Sequence, residues 1–282
     1  MKYQGLDAPS PAWAEAAASS PEPNRAAAFV RQCLALAEME LRKLRHDPTE
    51  LATRAIQPAL WLAIFGEVFS RVRGMPTTGQ MRYLDFLAPG VLAQSVLFIG
   101  IFYGIAVIWE RDLGIVHKLL VSPAPRVALV LGKALSGGVR GLSQGVAVYL
   151  LAWILGVKIN WHPLALAGVA VAVLLGAATF STFSLIIACV VRTRERFMGI
   201  GQVLTMPLFF ASNAVYPLSI MPNWLKIAAH LNPLTYEVDA MRALMIQGGS
   251  SIFGLGIDFL ALTAATLTMA FLASHLYANL VR

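Results

Sequence analysis

Charge is what this chain has least of. Of its 282 residues only 13% are Asp, Glu, Lys or Arg, while 57% are hydrophobic, and the mean hydropathy is +0.66. A soluble domain of this length could not keep so much apolar surface from water. The composition therefore points to an integral membrane protein. Cysteine is nearly absent: Cys33 and Cys189 have no metal-ligand company, and they read as small apolar residues in a reducing compartment. Catalytic and metal constellations are missing too, because His46, His117, His162, His230 and His275 are scattered, without paired acids or a Cys at ligand spacing. There is also no phosphate cradle of the form GxxxxGK followed by Ser or Thr. The nearest approach, Gly132-Lys133, has Val127 in place of the first Gly and Ala134 in place of the magnesium-binding hydroxyl. No cofactor is expected on this chain.

What is present is a series of long apolar runs. Crossing the hydrocarbon takes about 20 mostly apolar residues, and six stretches qualify, near 53–70, 86–109, 128–157, 163–191, 196–217 and 252–277. Pro58 and Glu67 interrupt the first and Pro207 the fifth, which neighbouring helices can accommodate by meeting the freed backbone groups. The expected fold is an all-α integral membrane protein. It has six transmembrane helices, an N-terminal interfacial amphipathic helix and a short re-entrant helical pair between helices 5 and 6.

The net charge of +7 raises the question of a nucleic-acid partner, and its distribution answers it. With the N-terminus inside, the cytosolic segments hold fifteen of the 22 basic residues, among them Arg42, Lys43, Arg45, Arg111, Lys118, Arg126, Lys133, Arg192, Arg194 and Arg196. Six lie outside, and Arg140 falls within the third crossing. This is the positive-inside bias. It predicts a multi-pass protein of the cell (inner) membrane with both termini cytoplasmic, its excess charge explained by topology and anionic lipid, with no nucleic acid.

Residues 1–24, rich in Ala, Ser and Pro with interspersed acids, read as a disordered cytosolic tail and not as a signal peptide. Residues 25–47 repeat apolar positions at three- and four-residue spacings, from Phe29 to Leu44, as an amphipathic interfacial helix does. The membrane domain follows over 50–282. Its third crossing aligns Gly137, Gly141 and Gly145, a row that lets a neighbouring helix approach closely. Arg140 in the same helix is either a functional group at depth or a side chain reaching back to the inner headgroups. Residues 216–245 are too apolar for a solvated loop and too interrupted, by Pro217, Pro222 and Pro233, to span. Two short helices dipping into the outer leaflet fit, the first capped near Asn223 and the second opened by Asn232-Pro233. Such breaks require cover by protein or a water-filled cavity, which places them at an outer mouth or gate.

The most informative stretch is Trp109–Arg126, WERDLGIVHKLLVSPAPR, a charged helical pattern between two apolar crossings. Leu113, Val116, Leu119 and Leu120 fall toward one side of it and Glu110, Arg111, His117 and Lys118 toward others. Such a helix can bury an apolar stripe in a partner's groove while its charges fix the register, and Ser122-Pro123 ends it. The alternative is a solvated loop helix whose charges only obey topology.

Together with YLDFLAPG at 83–90 and NAVYPLSIMPNWLKIAAHLNPLTYEVDAMRAL at 213–244, this stretch resembles the permease subunits of the ATP-binding-cassette (ABC) type-2 exporters. That group includes drug-resistance, nodulation-factor, polysaccharide and teichoic-acid exporters. The signature of the middle piece is matched by Glu110, Arg111, Gly114, Leu119, Leu120, Ser122, Pro123, Gly132 and Lys133. One departure is that Ile115, Val116 and His117 stand where the family usually has Thr-Leu-Glu. The acidic residue is missing, and with it the carboxylate for one salt bridge to the ATPase.

The resemblance implies a coupling helix over 109–126 docking on a nucleotide-binding subunit through Glu110, Arg111, Gly114, His117, Lys118, Leu119, Ser122, Pro123 and Arg126. ATP and magnesium would sit on that partner. Two ABC ATPase subunits and a second copy of this chain are the expected partners, with membrane lipid around them, and the chain itself is a transport subunit and not an enzyme. Substrate would pass between the two copies along Gln94, Ser95 and Tyr103 of the second crossing and Gln202, Thr205, Met206, Phe209, Phe210, Asn213 and Tyr216 near the fifth, although each aromatic alone also fits lipid or core packing. The mostly apolar chemistry suits hydrophobic or amphiphilic cargo (drug, lipid or lipid-linked glycan) moved out of the cytoplasm. A secondary transporter would instead show an internal repeat with midplane charges, and neither is found.

Overall fold

The computed structural model describes residues 48–70, 81–113, 126–191 and 193–276, and every regular element among them is helical. The expected tail, the amphipathic helix at 25–47 and most of the 109–126 stretch lie outside the described residues.

The first helix, α1 (Pro48–Leu60), continues through a π-helical stretch, Trp61–Gly66, into α2 (Glu67–Ser70). Pro58 withdraws an amide from the ladder just before the turn widens. Then come α3 (Tyr83–Asp112), α4 (Arg126–Ile154) and α5 (Pro163–Val190), the last opened by a proline at its first position. α6 (Arg194–Phe210) is capped by Thr193, whose hydroxyl accepts from the Arg196 amide at 3.4 Å. After an irregular stretch and a 3-10 turn, Leu218–Ile220, α7 (Asn223–Leu231) and α8 (Pro233–Met245) form a bent pair, and α9 (Leu255–Leu276) closes the fold. Among the described residues three helices, α3, α5 and α9, are long and apolar enough to cross a membrane.

α5 is central, packing against α3, α4, α8 and α9. Small residues bring the helices close. A Cβ on Gly137 would overlap the Ser181 hydroxyl, and one on Gly141 would stand 3.1 Å from Val173, so this part of the glycine row faces α5. α3 is buried almost from end to end, whereas α9 buries little more than Asp258, Leu262, Thr266, Ala270 and Ala273. The core joins Phe86, Leu92 and Leu97 of α3 to Val173 and Phe180 of α5 and Val238 and Met241 of α8.

The two ends of the bundle differ. One carries α7, α8 and the α4–α5 connection, stitched by backbone bonds from Asn160 to Met245 and from Gln247 to Lys158, both 2.8 Å, and by the Lys158 amide donating to Asp85 at 3.2 Å. We call it the capped end. The other, the charged end, holds Asp112 and the start of α6. Exposed Trp153, Trp161 and Trp224 mark the capped end and Trp109 the charged end, as interfacial aromatics do.

Candidate transport path and its capped end

The sequence suggests a helix continuing over 196–217, but α6 stops at Phe210. Pro207 lies in its last turn, and the chain then runs irregularly to Pro217. Broken backbone in an apolar setting needs internal hydrogen-bond partners, and distant side chains supply them here. The Asn232 amide nitrogen donates to the Leu208 carbonyl at 2.6 Å and the Ala211 carbonyl at 3.0 Å, while its oxygen caps α8 through the Leu234 amide at 3.0 Å. The Tyr83 hydroxyl donates to the Val215 carbonyl at 3.0 Å, and Arg242 donates to the Asn213 carbonyl at 2.8 Å. The Tyr216 hydroxyl closes back on the Phe210 carbonyl. Burial raises the Tyr216 phenol above its ordinary pKa.

Arg242 anchors this region. It is fully buried, its guanidinium lies 3.8 Å from the Phe86 ring centroid, and it reaches the Phe86 carbonyl at 3.4 Å. Asp239, three residues earlier on α8, binds the 251–253 turn. Its carboxylate accepts from the Ser251 hydroxyl at 2.9 Å and from the Ile252 and Phe253 amides at 2.7 and 3.2 Å. The same hydroxyl lies 2.7 Å from the carboxylate of Asp258 of α9, so its one proton is shared between the two acids. Glu237 stands apart. Fully buried, it abuts Gly176 of α5 so closely that any Cβ there would collide with its carboxylate, and neither of its oxygens has a hydrogen-bond partner. Desolvation holds its carboxyl well above the ordinary glutamate value of 4.5.

The proposed path residues divide into three groups. Gln202, Met206 and Phe210 lie at four-residue intervals on one exposed face of α6, with Glu195 and Gly199 continuing it toward the charged end. Phe209 and Thr205 point inward, Phe209 against Trp61 at a centroid distance of 5.5 Å. Gln94 is buried in α3, and Asn213 is buried in the break with neither side-chain amide atom hydrogen-bonded. Tyr103 belongs elsewhere, facing Arg140 of α4. The buried grouping of Asp239, Arg242 and Asp258, with Glu237 apart from it, had no signal in the sequence beyond two acids and a base on a short helix and an acid at the start of α9.

At the charged end, Asp112 joins two helices. It receives Arg111 at 3.2 Å and Arg194 of α6 at 2.8 Å, Arg111 also reaches the Val191 carbonyl at 3.4 Å, and the Arg194 guanidinium sits 3.5 Å from the Trp109 ring centroid. Glu110 is half-buried beside them. Gly114, His117, Lys118, Leu119, Ser122 and Pro123 lie outside the described residues. Arg126 opens α4, and its side chain is likewise outside them.

Residues 31–246 match the model of the ABC-2 type transporter family. The chain belongs to this family. It is 29% identical over 232 residues to ycf38 of Cyanophora paradoxa, a protein described as a transport permease, with 80% of each chain covered. It is 23% identical over 235 residues to the daunorubicin resistance ABC transporter permease DrrB1 of Streptomyces coeruleorubidus, covering 83% of this chain and 82% of that one. It is 26% identical over 199 residues to the inner membrane transport permease YadH of Escherichia coli K12, covering 68% and 73%. This is a transmembrane permease of the ABC transporter class, and the charged stretch at 109–126 and the helices at 223–245 both fall within the family match.

Proposed function

We propose that this permease is the membrane-spanning half of an ATP-driven exporter. Two copies form the pore above two ATPase subunits, and the cargo is a hydrophobic or amphiphilic molecule leaving the cytoplasm. The observation that carries this reading is the family match over 31–246, which includes the whole charged stretch. These residues carry no phosphate cradle, so the motor lies outside them, and in this reading it is a separate ATPase subunit. In this reading the bundle crosses six times, with α1–α2, α3, α4, α5, α6 and α9 as the spans and α7–α8 dipping into the outer leaflet. The charged end and both termini face the cytosol.

Two features support the arrangement. Gln202 is a polar side chain exposed on an apolar helix, which suits a face turned to a second copy and a shared passage more than one turned to lipid. The capped end closes that passage, because the helix lining it ends where Asn232, Tyr83 and Arg242 hold the broken backbone. The arrangement implies an outer gate built on Asn213 and Tyr216. Reconstitution with the cognate ATPase, intact or with a disabled phosphate loop, tests the reading. Export should appear only with the intact motor, and transport that persists without it overturns ATP coupling.

A further inference from the structure

Glu237 combines three properties that an acid of purely structural use does not need together. It is fully buried, neither of its carboxylate oxygens has a hydrogen-bond partner, and it presses on Gly176, midway along the 28-residue α5. At about 1.5 Å per residue that glycine lies roughly 20 Å from either end of its helix, so in the six-span reading α8 carries an acid to the depth of the bilayer centre. An ionisable group at such depth is rare and characteristically functional. The seam around it is tight. A Cβ on Gly168, about two turns before Gly176, would stand 2.7 Å from a Leu244 methyl, so α8 lies directly on this face of α5.

No charge on the helices packed against α8 answers Glu237. From Pro163 to Val190, α5 contains no Asp, Glu, Lys, Arg, His or Tyr, and Cys189 stands near its far end. At the start of α3, the Tyr83 hydroxyl is bonded to the Val215 carbonyl and Asp85 to the Lys158 amide; Tyr103, Glu110, Arg111 and Asp112 lie further along that helix. On α9, Asp258 shares the Ser251 hydroxyl with Asp239, and His275 stacks on Phe271 near the other end. α7 brings Lys226 and His230. On α8 itself, Tyr236 donates to the His230 carbonyl at 2.8 Å, Asp239 is taken up by the 251–253 turn, and Arg242 reaches the Asn213 carbonyl. A carboxylate in this setting would be both desolvated and unpaired, whereas a carboxylic acid has no charge to desolvate.

We propose that Glu237 is a proton-binding site that latches the outer gate: it holds one proton while α8 lies on α5 and yields it to water at the capped end when the two helices part. The inference rests on the exporter reading for the sidedness of that gate. α8 is capped by Asn232 and carries Arg242, and both hold the broken end of α6. Parting α8 from α5 therefore also frees the end of the helix proposed to line the passage, and closing takes the proton back from water. Since the closed state binds the extra proton, acid favours closure. Rising pH favours opening, by up to about tenfold per pH unit above the value of an exposed carboxyl, about 4.3.

Amide hydrogen exchange of the whole permease in phosphatidylcholine nanodiscs, from about pH 5.5 to about pH 7.5 with the intrinsic exchange rate at each pH divided out, tests this. In the native protein the protection of residues 233–245 and 168–177 should fall about fivefold or more across that range, with residues 141–154 of α4 remaining the better protected throughout. E237Q, neutral and of the same shape, should show level protection in α8; E237M, apolar and of similar length, serves if that variant fails to fold. Protection of α8 that is independent of pH in the native protein, or equally dependent in the variants, overturns the latch. So does equal protection of α4 and α8, which would mean that only global unfolding is seen. In proteoliposomes with the ATPase facing the bath, hydrolysis at fixed bath pH should slow as the lumen is acidified in the native complex and not in E237Q. A complex that hydrolyses ATP with no effect of lumenal pH sinks this inference alone. If no ATPase associates, the exporter reading fails while the protection shift stands.

Discussion

Arg242 is among the largest fully buried side chains of the described residues. In the sequence it reads as one of a few cations on the outer side; in the fold it is an internal strut between α8, Phe86 and the Asn213 carbonyl. Replacing it leaves a buried carbonyl unmet, at a cost of about 2 kcal/mol, so R242M should unfold at a distinctly lower temperature in detergent. Glu237 contributes with the opposite sign. Its folded carboxyl holds a proton above the ordinary value of 4.5, whereas the unfolded chain releases it near pH 4.3, so the folded state binds more protons there. This contribution to stability is present below the unfolded pKa and is lost as pH rises from that value toward the folded one. In E237Q the thermal midpoint should fall less over that window than in the native protein. Gly176 supplies a control, because G176A should be costly beside Glu237 and much less so in an E237A background.

At the scale of elements, boundaries set by local chemistry were legible. Asn232-Pro233 marks the start of α8 as the sequence predicts, since an Asx cap and a proline at the first helical position are short-range effects; α7 starts at Asn223, but its N-cap is Pro222 and no side chain caps it, so the cap expected near Asn223 is not formed. The end of α6 was not, because the carbonyls freed after Pro207 find partners some twenty residues away. N232A should therefore loosen two elements together. A loss of about 1 to 2 kcal/mol is expected, with faster amide exchange in both the last turn of α6 and the first of α8; loosening confined to α8 would show that Asn232 is only a cap. The junction of α3 and α6 through Arg111, Asp112 and Arg194 was likewise hidden, since nothing in the sequence relates positions 82 residues apart. The stretch proposed to dock on the ATPase begins at this junction. E110A with R111A, or G114P, should leave a folded, inserted permease whose ATPase partner hydrolyses ATP without export, and unchanged transport in these variants would remove the role assigned to that helix.

For the whole molecule, the decisive surface is the α6 face of Glu195, Gly199, Gln202, Met206 and Phe210. If two copies meet along it, Q202C should cross-link to itself with a short thiol reagent in native membranes. L260C on the exposed flank of α9 should remain monomeric. Equal cross-linking at both positions would place the second copy elsewhere. The path residues named from sequence do not form one lining: Gln202, Met206 and Phe210 share this face, Gln94, Phe209 and Asn213 are interior, and Tyr103 faces Arg140 of α4. Type and spacing identified polar groups on apolar helices, but each helix's rotation comes only from its packing.

The amino-acid sequence by itself determined membrane residence, helical class and family. These follow from the scarcity of charge, the length of the apolar runs and the local pattern at 109–133, all readable without knowing which helices touch. The tertiary structure alone decided which polar groups are buried together. Glu237 against Gly176, Arg242 across Phe86 and Asn232 beneath the broken end of α6 pair residues from different helices. The physical reason is that a backbone carbonyl freed in an apolar interior is costly to leave unmet, and its partner is whichever donor the packing brings within reach, whereas Glu237 and Asn213 are buried with no side-chain hydrogen bond.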